Sequence, residues 1–92
     1  MSAHRKKIEV VNQRGLHARA SAKFVGAVAE LPDGCNVRVA KGDSEAAGGS
    51  ILGLMMLGAA KGDTIEIIVE GENAETVLAE LSAMVEDGFG EP

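Results

Sequence analysis

The sequence predicts an α+β domain: an open-faced sandwich in which a four-stranded antiparallel sheet carries three helices on one face, in the order β-α-β-β-α-β-α. Three observations lead there. Strand-like alternation and helical stripes take turns along the chain, separated by glycine and proline breakers. Three of the four strand segments keep one polar face, which suits an antiparallel sheet with helices on one side and water on the other. The 92 residues suffice for one domain, residues 1–92, with no repeat or low-complexity stretch to suggest a second.

The elements follow in order. Residues 6–12 alternate, with Ile8 and Val10 on one face and Lys7 and Glu9 on the other. From Ala18 to Leu31 the spacing is helical, Phe24, Val25, Val28 and Leu31 following Ser21 at steps of three and four. Pro32-Asp33-Gly34 breaks the helix. Cys35 to Lys41 alternates again, Cys35, Val37 and Val39 facing inward. Lys41-Gly42-Asp43 is a tight turn, so Ser44 to Ala47 returns as a short edge strand, although Ala and Gly are poor strand formers.

Ser50 to Leu57 is a short helix closed by Gly58. Asp63 to Glu70 is the clearest strand, with Ile65, Ile67 and Val69 opposite Glu66 and Glu70. Asn73 is a suitable N-cap, and Glu75 sits favourably in the first turn that follows. Val77, Leu78, Leu81, Met84 and Val85 form the last helical stripe, ended by Gly88. Residues 1–5 and 89–92 are expected to be loose.

Composition narrows the function classes. The net charge of −5 and the absence of Trp and Tyr argue against a nucleic-acid surface built on phosphate contacts and base stacking. No apolar run reaches the roughly 18 residues that span a bilayer. The lone Cys35 makes no internal disulfide, and a cytoplasmic location fits best. Two His and one Cys are too scattered for a metal site, and no phosphate-binding glycine loop is present, so neither a metal nor another cofactor is expected.

One position stands out. In Arg14-Gly15-Leu16-His17-Ala18-Arg19-Ala20-Ser21 a strand-like run stops at a glycine and a helical pattern begins. The first turn of a helix has free backbone N–H groups and a partial positive charge, so it receives anions well. Imidazole is a reversible nucleophile near neutral pH. His17 there, with Arg19 two residues on, can take a phosphoryl group and have its charge met at once. The bland alternative is a solvent-exposed cap residue beside an ordinary surface arginine. His4 has no role in this reading, and Cys35 packs as a small apolar side chain.

Gly15-Leu16-His17-Ala18-Arg19 and Ser50-Ile51-Leu52-Gly53-Leu54-Met55-Met56-Leu57-Gly58 together resemble the two signatures of the HPr family, the histidine-containing phosphocarriers of the bacterial phosphoenolpyruvate-dependent phosphotransferase system. The resemblance covers nearly the whole chain and leans toward the proteobacterial HPr and nitrogen-type (NPr-like) carriers. It implies that His17 is phosphorylated on Nδ1 by enzyme I and hands the group to an EIIA-type domain, in a sugar-uptake or nitrogen-regulatory branch. It implies that Arg19 meets the phosphoryl group, and that Ser50 is a candidate for an HPr serine kinase/phosphatase. The chain would be a monomeric carrier rather than an enzyme. Ala20 stands where many members have proline, and Ser44 to Gly49 is unusually small ahead of the serine.

Ser50 also has a plain structural reading, since serine is a preferred N-cap. The helix behind it carries more apolar residues than one face can bury. Leu54 and Leu57 suit the core; Ile51, Leu52 and Met55 are left as an exposed patch of the kind that marks a partner site. Small Ala20 beside the histidine is expected to let a partner come close. A different class of protein shares the element order: a ferredoxin-like regulatory module that binds a small ligand and transfers no phosphate.

Overall fold

Alternate isoleucines and a valine make Thr64–Glu70 a strand with one wholly apolar face, and the sheet is built around it. The computed structural model describes residues 3–91. In chain order the elements are β1 (His4–Glu9), α1 (Ala18–Ala29), β2 (Asn36–Lys41), β3 (Ser44–Ala47), α2 (Ile51–Met56), β4 (Thr64–Glu70) and α3 (Ala74–Glu86), then a single 3-10 turn at Gly88–Gly90. The sheet order is β1-β4-β2-β3, every pairing antiparallel. This is the expected α+β open-faced sandwich, and the short edge strand β3 forms despite its alanines.

Register fixes the two faces. Ile8 pairs with Ile65, Val39 with Ile67 and Val37 with Val69. These side chains meet Phe24 from α1, Leu54 from α2 and Val77, Leu81 and Val85 from α3 in one core. Fully burying side chains of this size stabilises the fold by about 1.5–3 kcal/mol each.

The other face is not simply wet. Ile68 points there, yet it is 1% exposed. Arg5 and Arg38 lie opposite it on β1 and β2, and their aliphatic stems flank it while their guanidinium groups reach Glu66, Glu45 and Glu70.

Both ends depart from expectation. His4 and Arg5 belong to β1, because the strand runs earlier and stops at Glu9 instead of reaching Asn12. Residues 1, 2 and 92 lie outside the described residues. Residues 89–91 are held: Phe89 is 2% exposed and belongs to the core. Gly88, Phe89 and Gly90 all adopt positive φ (66°, 57° and 73°), a left-handed turn that tucks the ring inward. Asn73 does not cap α3 with its side chain; it sits in the left-handed region at φ 59° instead. Helix α1 ends at Ala29, two residues before Leu31, where Leu31 N–H bonds to the Val28 carbonyl.

Candidate functional site

The loop between β1 and α1 is set by a close backbone approach. Gly15 has φ 63°, and a Cβ there would collide with the Ala59 carbonyl oxygen. Leu16 N–H donates to the same carbonyl at 3.0 Å, tying this loop to the one that follows α2. Only glycine meets both demands. Leu16 and Ser21 are buried behind the loop, and the Ser21 hydroxyl donates to the Leu16 carbonyl at 3.3 Å.

His17 is the N-cap of α1, with extended backbone (φ −77°, ψ −178°). Its ring Nδ1 accepts the backbone N–H of Arg19 at 3.2 Å. An imidazole nitrogen thus takes the place of a capping oxygen, facing the free amides of the first turn. The opposite ring nitrogen, Nε2, meets the Glu91 carboxylate, 2.9 Å from Oε1 and 3.0 Å from Oε2. Because Glu91 covers it, the His17 side chain is only 20% exposed, less open than a helix-start residue is expected to be.

Glu91 has further support. Asn12 Nδ2 donates to Glu91 Oε1 at 3.1 Å and to the Gly15 carbonyl at 2.8 Å. Asn12 is 1% exposed, and its Oδ1 has no partner among the described residues. Lys23 Nζ donates to the Phe89 carbonyl at 2.7 Å, fixing the turn before Glu91. The hydrogen bond to His17, then that from Asn12 and the charges of His17 and Lys23, outweigh desolvation and hold the Glu91 carboxyl below the usual range. Neither Asn12 nor Glu91 is a candidate on sequence grounds. The available signal is Phe89, one of only two aromatic residues, which stands where a loose tail has no need of one.

Arg19 is exposed. With Gln13, Arg14 and Glu91 it lines a shallow depression of about 310 Å³ beside the ring. Ala20 is a correction: it is fully buried. It stands four residues before Phe24, on the stripe that α1 turns to the core, and offers a partner nothing.

Ser50 caps α2, its Oγ accepting the Gly53 N–H at 3.0 Å. Leu54 and Leu57 are buried as expected, while Ile51 (41%), Leu52 (68%) and Met55 (40%) are exposed. Met56, absent from the expected patch, is the most open at 77%. α2 packs against α1, so this apolar surface adjoins the helix that carries His17.

Comparison with known proteins agrees with this geometry. The family model PTS-HPr, described as the PTS HPr component phosphorylation site, matches residues 4–87. The phosphocarrier protein HPr of Neisseria meningitidis serogroup B is 41% identical over 87 residues, 95% of this chain and 96% of its own. The phosphocarrier protein NPr of Shewanella violacea is 31% identical over 91 residues, 99% of this chain and 98% of its own. The crystal structure of an HPr from Thermoanaerobacter tengcongensis superposes with a TM-score of 0.88 at 31% identity, covering 97% of this chain and 98% of that one. A histidine at a helix start, a serine-capped apolar helix and a match along nearly the full length converge: the chain belongs to the HPr family of phosphotransferase-system phosphocarriers.

Proposed function

We propose that this chain accepts a phosphoryl group from phosphorylated enzyme I on Nδ1 of His17 and passes it to an EIIA-type domain. The observation that carries this reading is the placement of Nδ1 against the Arg19 backbone N–H at the first turn of α1. Phosphoryl transfer asks a protein mainly for positioning and charge stabilisation. As the Nδ1 lone pair forms its bond to phosphorus, the donor's P–N bond breaks and the donor imidazole leaves. The Arg19 N–H then turns from the ring nitrogen to a phosphoryl oxygen, and the mobile Arg19 guanidinium swings onto the group. On delivery the same steps run in reverse.

The chain acts as a stoichiometric carrier, not an enzyme, and needs no cofactor. We place it in the cytoplasm as a monomer; a dimer in size-exclusion chromatography would overturn that last point. Ile51, Leu52, Met55 and Met56 supply the docking surface, and flexible methionine suits a face that must fit both donor and acceptor. Ser50 is the candidate for an HPr serine kinase/phosphatase. A phosphate there would sit among the exposed apolar residues and act on docking more than on folding.

The test is incubation of the pure protein with enzyme I and phosphoenolpyruvate. Wild type should gain an acid-labile, base-stable phosphate, and His17→Ala none, while remaining folded despite the roughly 0.5–2 kcal/mol that losing the cap costs. Phosphate on the His17→Ala variant would sink the reading. Arg19→Glu should slow uptake strongly by setting a carboxylate beside the incoming group. Offering both sugar-type and nitrogen-type EIIA domains to the phosphorylated protein identifies the branch it serves.

A further inference from the structure

We propose that Glu91 is a positioning residue for His17: its carboxylate accepts a hydrogen bond from Nε2–H and locks the ring with Nδ1, the unprotonated nitrogen of the neutral tautomer, toward the first turn of α1. The inference rests on His17 as the phosphoryl acceptor and adds the element that presents it.

The hydrogen bonds dictate the tautomer. Nδ1 accepts from the Arg19 N–H, so in the neutral ring the proton is on Nε2, where two carboxylate oxygens stand at 2.9 and 3.0 Å. A neutral imidazole has one donor and one acceptor nitrogen, and here each faces its proper partner. The arrangement also fixes the ring's rotation, because turning it would break both contacts. The same logic operates where a carboxylate orients a histidine through its distal N–H.

Glu91 is itself held from three sides. Phe89 is anchored in the core and Lys23 ties its carbonyl. Asn12 Nδ2 bridges Glu91 Oε1 and the Gly15 carbonyl. Both groups facing Nδ2 are acceptors, which fixes the orientation of that amide.

The chemistry benefits at the moment of transfer. When Nδ1 bonds to phosphorus and the donor imidazole leaves with its electron pair, the Nε2 proton stays on the His17 ring, which becomes cationic. Glu91 meets that charge from the side away from the phosphoryl group. Arg14, Arg19 and Lys23, the other charged groups about the ring and its carboxylate, are cations, so Glu91 is the anion that faces Nε2.

The experiment pairs a spectroscopic readout with kinetics. In water, at a pH where ordinary imidazole is neutral, proton NMR of the wild type should give a downfield, slowly exchanging His17 Nε2–H resonance. Glu91→Ala should lose it to exchange and take phosphate from phosphorylated enzyme I at least about tenfold more slowly, as a ring freed from its attack geometry requires. Glu91→Gln, whose amide oxygen can still accept, should recover a substantial part of both. Glu91→Ala with its resonance and uptake rate unchanged would overturn the proposal. So would slow uptake with the resonance intact, or a Glu91→Gln variant that recovers neither. Uptake by His17→Ala would instead refute the acceptor assignment, and the Nε2–H resonance does not depend on that outcome.

Discussion

Gly15 holds the tightest tolerance in the site, and its demand is steric as much as conformational. A methyl group there meets the Ala59 carbonyl oxygen and Ala60 Cα, both backbone and unable to swing aside, at a φ that side chains rarely adopt. Gly15→Ala should therefore destabilise the protein by at least about 2 kcal/mol and displace His17 with the loop; urea unfolding and phosphate uptake measure the two effects. His17 and Arg19 are legible in sequence because their types and their place at a strand-to-helix junction imply chemistry without any tertiary contact. Glu91 is not, since it reaches the site across the fold and follows no periodicity. Ala20 lies inside because it and Phe24 are four apart, so the stripe that buries one buries the other.

At the scale of elements, α2 shows what a short helix does with too many apolar residues. Its surplus was visible in composition, and three of the exposed residues followed from spacing. Met56 obeys the same spacing, since it lies two residues after buried Leu54 and so on the far side of the helix from it. Ser50→Asp should keep the cap, since aspartate accepts the Gly53 N–H as serine does, and change stability by less than about 1 kcal/mol. The new carboxylate lies beside Ile51 and Leu52, and desolvating it unpaired is costly. Enzyme I should bind this variant at least about tenfold more weakly; equal affinities in a titration would remove α2 from the docking surface. Asn73 illustrates the opposite lesson. Asparagine marks the helix boundary there, yet its backbone takes a left-handed turn that uses asparagine's tolerance of positive φ, not its side-chain oxygen.

For the molecule as a whole, alternation and helical stripes were enough to predict the layers and their order, because burial of one face determines both periods. They could not show that Arg5 and Arg38 cover Ile68, which depends on register across three strands. Nor could they show the tail's return. Acid should test the polar contacts that tie loops together. The Asp63 carboxyl is held below its ordinary range by the Ala60 backbone N–H and then by Lys41, and Glu91 by His17 first. A carboxylate with a lowered folded-state pKa adds stability that is present above its unfolded value and is lost as pH falls through the folded one. Melting temperature should thus hold down to pH ~5 and fall below pH ~4, with a shallower acid limb in Glu91→Gln. An acid limb identical to wild type would show that Glu91 contributes nothing there.

The sheet order has a consequence for how the chain is made. β4 lies between β1 and β2 and joins them, yet of the four it is the last to be synthesised. Until residues 64–70 leave the ribosome, β1 has no neighbour, and Ile8, Val37 and Val39 wait without their partners on Thr64–Glu70. Before then the sheet is limited to the β2–β3 hairpin, with α1 and α2 lacking the face they pack on, and the four strands join only when the central one arrives. Phe89 and Glu91 come later still, so the contact between Glu91 and His17 can form only after the sheet has all its strands.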